Sequence, residues 1–135
     1  MPAQVLSGTI SDQPTTTYNV KLQNNSKPYE FSGLPAGKTE IIAINNAIRG
    51  SKALIENDFS SDRLRDNARQ YNILHLATHG YFELGQPENS FLLFSQPDSQ
   101  GKNYASITDI RKWKLRDIDL VTLSACQTAV APKTG

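Results

Sequence analysis

The sequence predicts an α/β fold built on a mainly parallel sheet, and three observations carry that prediction. Short β-branched or apolar runs alternate with stretches of helical periodicity along the 135 residues. Two runs, 73–78 and 120–124, are apolar almost throughout, and the first suits a strand covered on both faces. Each of the two stops abruptly at a residue with chemistry to offer, the first at His79-Gly80 and the second at Cys126.

The elements follow in order. Residues 5–11 form an apolar, β-branched run closed by Asp12 and Pro14, a first strand. Residues 14–28 are polar, and the alternation of Tyr18, Val20 and Leu22 with Asn19 and Lys21 permits a hairpin strand there. Residues 31–37 are rich in turn formers and lead into a helix from Lys38, whose Ile41, Ile42, Ile44, Ala47 and Ile48 recur at helical spacing. Gly50 is placed to end it. Ala53-Leu54-Ile55 reads as a second strand. Asn57, Asp58 and Ser60-Ser61 offer N-caps for a helix carrying Leu64 and Ala68. Residues 73–78 make the third strand, 83–88 a loop, and 91–94 a short extended piece. Ser106 or Thr108 can cap a helix through Ile110 and Trp113, and 120–124 is the fourth strand.

Composition narrows the function. The chain is 38% hydrophobic and 20% charged, with 14 Lys plus Arg against 13 Asp plus Glu. That balance argues against a nucleic-acid surface built on bulk charge. Arg63, Arg65 and Arg69 sit among Asp62 and Asp66, and Arg111, Lys112, Lys114 and Arg116 among Asp109, Asp117 and Asp119, so both groups read as solvated surface. A single Cys forms no internal disulfide, which fits a reducing compartment. Neither a signal peptide at the first residues nor a run of the roughly 18 apolar residues that span a bilayer is visible, so a cytoplasmic location is expected. No glycine-rich phosphate loop and no zinc-type ligand spacing occurs, and neither metal nor cofactor is expected.

The chemistry lies at the strand ends. In a parallel sheet the site lies beyond the carboxyl ends of the strands. His79 and Cys126 both fall there, on one rim. A thiol of ordinary pKa is only a few per cent thiolate at neutral pH, and a neighbouring imidazole activates it and later protonates the leaving amine. The expected roles are Cys126 as nucleophile, His79 as general acid and base, and the N–H groups of Gly80 and Cys126 as an oxyanion hole. Against this stands the plainer reading of a lone Cys as a small inert hydrophobe and of His-Gly as a chance pair. His75 shares strand parity with His79, but four strand residues span roughly 13 Å. The two cannot serve one nucleophile, and His75 reads as a buried, hydrogen-bonded core histidine. Trp113 reads as a core anchor.

Here the chain resembles a known family. His75-Leu76-Ala77-Thr78-His79-Gly80 and Leu123-Ser124-Ala125-Cys126-Gln127-Thr128 look like the two signature motifs of CHAT domains. Leu92-Leu93-Phe94, Ser106-Ile107-Thr108-Asp109-Ile110, Gly33-Leu34-Pro35 leading into Glu40, and the strand 5–11 are similar to the family's pattern as well. The resemblance covers nearly the whole chain and is weakest over 13–31. CHAT domains are caspase-like cysteine peptidases, abundant in bacteria, cyanobacteria included, and often found behind tetratricopeptide repeats. The resemblance implies a caspase-like three-layer sandwich and a His79–Cys126 dyad with Gly80 at the oxyanion hole. It implies a protein substrate and no metal or cofactor.

The family pattern normally continues past the nucleophile with further strands and helices that resemble the caspase small subunit. Against that pattern the chain, residues 1–135, is expected to be a partial, large-subunit-like domain with the C-terminal half missing. Its partners would be that half or a tetratricopeptide-repeat region of a parent chain. Relatives that cut after Arg or Lys use acidic residues in the pocket. Ser124 and Ala125 precede Cys126 here, so the acid many of them carry just before the nucleophile is absent. Asp12 is the alternative pocket acid, with Ser124 and Gln127 beside the nucleophile as further pocket candidates. Two other functions compete: a non-catalytic scaffold or inactive fragment, and a flavodoxin-like receiver or nucleotide module. The lack of a clustered acidic pocket and of a phosphate loop counts against the last.

Overall fold

A computed structural model describes residues 2–23 and 28–124. Its centre is a four-stranded parallel sheet in the order β4-β1-β5-β9, formed by β1 (Val5–Thr9), β4 (Lys52–Ile55), β5 (Ile73–Ala77) and β9 (Leu120–Leu123). The caspase-like parallel core expected from the sequence is therefore present. The chain leaves β1 through α1 (Gly37–Ala47) to β4 on one flank, then returns through α2 (Ser61–Ala68) across β1 to β5 on the other. Right-handed crossovers in opposite directions put the two helices on opposite faces of the sheet.

The alternation along β1 shows the same layering. Gly8 faces the α2 side: a Cβ added there would lie 2.2 Å from Cε1 of Phe59, which sits just before that helix. Its neighbour Thr9 faces the α1 side, with its hydroxyl 2.5 Å from where a Gly37 Cβ would stand. The α2 face is apolar. Leu6, Leu54, Leu74 and Leu76 pack there with Phe59, Leu64 and Phe94, all essentially buried. The α1 face is mixed, with Val5 and Ile73 at its amino end and Ile55 beside Thr9, and polar or small residues between. It carries Ser7, His75 and Thr122 in one row across β1, β5 and β9, with Thr9 and Ala77 in the next. This explains why α1 buries so little apolar surface: Ile41 is fully enclosed, yet Ile42 remains 41% exposed despite the helical spacing of its neighbours.

Two smaller sheets were largely hidden in the sequence. The expected hairpin strand exists as β2 (Thr17–Val20) and pairs antiparallel with β3 (Tyr29–Ser32). The sequence reading placed Phe31 and Ser32, the second half of β3, in a turn-rich entry to α1, and that is corrected here. Tyr29 and Phe31 are buried while Glu30 and Ser32 are exposed, a half-buried strand masked in the sequence by Pro28 and the turn formers after it. The second sheet, β6-β7-β8, comprises β6 (Gly80–Tyr81), β7 (Phe91–Leu93) and β8 (Tyr104–Ser106). It presents Phe91 and Leu93 to the core.

Capping follows local chemistry. Ser60 is the N-cap of α2, its hydroxyl accepting from the Arg63 N–H at 3.3 Å. Asn57 and Asp58, the other cap candidates, fall instead in a short 3₁₀ turn over Glu56–Asp58. Ser106 caps α3 (Ile107–Arg111) in a complete capping box with Asp109, and the helix stops before Trp113. Gly50 adopts φ +83°, but α1 ends at Ala47 with Ile48 as its C-cap, so Gly50 serves the turn that follows, closed by the Ser51 N–H on the Ile48 carbonyl at 3.3 Å, and is not the helix cap that was expected.

Candidate active site

His79 stands immediately beyond the carboxyl end of β5 and is 5% exposed. Its ring stacks on Phe31 of β3, with centroids 5.5 Å apart and planes 15° from parallel. Its Nε2 lies 2.8 Å from the carbonyl oxygen of Ser32. A carbonyl only accepts, so Nε2 carries the proton, and in the neutral ring Nδ1 is the basic nitrogen. The hairpin β2-β3, largely missed in the sequence, thus sets both the plane and the tautomer of the imidazole. No side-chain signal could have shown this, because Ser32 acts through its backbone.

Burial lowers the His79 pKa from its ordinary 6.5, and the hydrogen bond to Ser32 opposes that only partly. The consequence for stability has a definite sign. Below pH 6.5 the unfolded chain takes up this proton more readily than the folded one, so stability falls as pH falls through that value. Glu40 and Asp62 have lowered pKa values, and their contributions disappear only below about their ordinary values of 4.5 and 3.8. Urea unfolding between pH 8 and 5 is therefore expected to show a decline that His79→Gln removes. An unchanged decline in the variant would assign it elsewhere.

Gly80 opens β6, opposite Leu92. The Leu93 N–H donates to the His79 carbonyl at 3.0 Å, so Gly80 and Leu92 form a non-hydrogen-bonded pair in this antiparallel ladder. The Gly80 N–H consequently points away from β7. A Cβ on Gly80 would meet the Phe82 ring at 2.8 Å and Leu92 Cδ2 at 3.1 Å, so the site is tight as well as bare.

The other candidates are distributed as follows. Asp12 follows β1, on the same carboxyl rim as His79, and its carboxylate accepts from the Gln13 side-chain amide at 3.2 Å. Ser124 follows β9, where its N–H donates to the Leu76 carbonyl at 3.0 Å. Cys126 and Gln127 lie outside the described residues. His75 is hydrogen-bonded as expected but only partly buried and not a core residue: its Nδ1 meets the Thr122 hydroxyl and its Nε2 lies 3.2 Å from Glu40 Oε2. Its two partners were not foreseen. The cationic residues Lys112, Lys114 and Arg116 gather with Arg65, Arg69 and Trp113 around a cavity of about 540 Å³. That cavity lies before β5 and β9, at the rim opposite His79.

The match to known families is clear. The chain matches the CHAT domain family over residues 3–135. It belongs to that family, and so to the caspase-like, peptidase-related proteins. No curated protein and no solved structure matches it. Among the described residues, no helix is long and apolar enough to cross a membrane.

Proposed function

We propose that the chain is a cysteine endopeptidase domain that cleaves peptide bonds with His79 and Cys126. The observation that carries this reading is the Nε2–Ser32 hydrogen bond, which makes Nδ1 of a buried, ring-stacked His79 the base at the carboxyl rim of the sheet. Cys126 follows the neighbouring strand β9 by three residues. In the reaction, Nδ1 takes the thiol proton and the thiolate attacks the carbonyl carbon. The N–H groups of Gly80 and Cys126 receive the oxyanion, a hydrogen bond of this kind contributing about 3 kcal/mol. The imidazolium gives its proton to the leaving amine. Water, deprotonated by His79, then hydrolyses the thioester and restores the thiol. A lowered imidazole pKa keeps His79 in the neutral, proton-accepting form at pH 7.

The substrate in this reading is an extended segment of another protein. Asp12 on the same rim is the acid available to a basic side chain, with Ser124 and Gln127 flanking the nucleophile. A small-subunit-like half or a repeat-containing region is the partner proposed for the outer strand β9, whose Leu120, Val121 and Leu123 are 51%, 51% and 38% exposed. The same exposed strand supports the second reading, a non-catalytic interaction module.

A peptidyl acyloxymethyl ketone separates the two. The enzyme reading predicts a covalent adduct at Cys126 that forms about 100-fold faster than in His79→Ala, the lower range for general-base catalysis. Equal rates in the two proteins would favour the interaction module.

A further inference from the structure

The strand that leads to Cys126 is held by polar groups rather than by apolar burial. Its Leu120, Val121 and Leu123 face solvent to a large degree, so hydrophobic packing anchors β9 weakly. Thr122 is its one residue paired into a partly buried polar row. It lies beside His75 in the parallel register of β5 and β9, and its hydroxyl meets His75 Nδ1. The opposite ring nitrogen, Nε2, lies 3.2 Å from Glu40 Oε2 on α1. A carboxylate only accepts, so Nε2 carries the proton toward Glu40, and in the neutral ring Nδ1 accepts from the Thr122 hydroxyl. Helix α1, strand β5 and strand β9 are thereby tied through one imidazole.

We infer that Glu40, His75 and Thr122 form a positioning clamp that fixes the end of β9, and through it Cys126, relative to His79. The catalytic consequence rests on the dyad reading above; the anchoring of β9 does not. None of the three acts on substrate. Their task is to hold an otherwise weakly packed outer strand in one register, so that its last residues emerge at a fixed point on the rim.

The test uses the full chain with Thr122→Val, Thr122→Ser and His75→Gln. Two quantities are read: hydrogen exchange at the Ser124 amide, which donates to Leu76, and the rate of Cys126 alkylation at pH 7. The clamp predicts that Thr122→Val and His75→Gln raise Ser124 exchange about tenfold relative to the β1 amides, as loss of one hydrogen bond would. Alkylation slows in the same two variants. Thr122→Ser, which keeps the hydroxyl, behaves as wild type in both. Unchanged exchange at Ser124, or faster exchange with unaltered alkylation where the wild-type thiol is activated, overturns the clamp as a positioning device. Uniformly faster exchange across β1 and β9 does so too, since it marks general destabilisation. An unactivated wild-type thiol overturns the dyad instead, and Ser124 exchange then decides the anchoring on its own.

Discussion

Phe59→Ala is expected to destabilise the fold by about 3–5 kcal/mol. Phe59 is fully buried on the apolar face of the sheet, and its ring packs on Phe94 with centroids 4.7 Å apart. The sheet is shaped to receive it. Gly8 in the central strand β1 has no side chain, and a Cβ there would stand 2.2 and 2.4 Å from two atoms of the ring. Truncating the ring leaves a void that neither Gly8 nor the buried strand backbone around it can fill. A stability of about 5–15 kcal/mol is usual for a domain, so the loss removes a fifth or more of what holds it. Urea denaturation reads it directly. A loss under about 1 kcal/mol would mean that the site collapses around the truncated side chain, contrary to the rigid packing described.

Gly33→Ala is expected to cost about 3 kcal/mol and, unlike Phe59→Ala, to disturb His79 selectively. A Cβ at Gly33 would lie 2.0 Å from the Gln13 carbonyl oxygen and 2.9 Å from that of Ser11. Both are backbone atoms, fixed by the Thr16 to Gln13 and Leu34 to Ser11 hydrogen bonds of 3.0 and 2.8 Å. No side chain can swing aside, so β3 or the 11–16 turn must move. The residue before Gly33 is Ser32, whose carbonyl receives the His79 Nε2–H. Displacing it releases the bond that sets the tautomer. The ¹⁵N chemical shifts of the His79 ring should therefore change in Gly33→Ala more than those of His75, whose partners lie on α1 and β9. Equal shifts in both rings would contradict this link between the hairpin and the site.

How much of this was legible follows from where the information resides. The parallel core was readable because its strands are dense apolar runs bounded by turns and caps: residues 73–78 were expected and Ile73–Ala77 is observed. His79 was readable because the run stops there. The hairpin strand β3 and the two-residue strand β6 were not: β3 lies between Pro28 and the turn formers Gly33-Leu34-Pro35, which mask it, and two residues carry no measurable period. The partner of His79 was hidden for a different reason. It is a main-chain carbonyl, and every residue has one. Glu40 was quoted only as part of a motif, because nothing in a helix sequence says which strand residue its carboxylate will meet. The exposure of Ile42 likewise depends on the polar row Ser7, His75, Thr122 beneath α1, a property of three strands distant in sequence.

The most direct test of the dyad is the pH dependence of Cys126 alkylation by iodoacetamide, in the wild-type chain and in His79→Ala. Cys126 is the only cysteine, so the signal has one source. The account predicts a wild-type thiol whose apparent pKa lies well below the free value of about 8.5, returning toward that value in the variant. A slow thiol with an ordinary profile in both proteins would contradict it, and would leave His79 and Cys126 as neighbours in sequence motif alone.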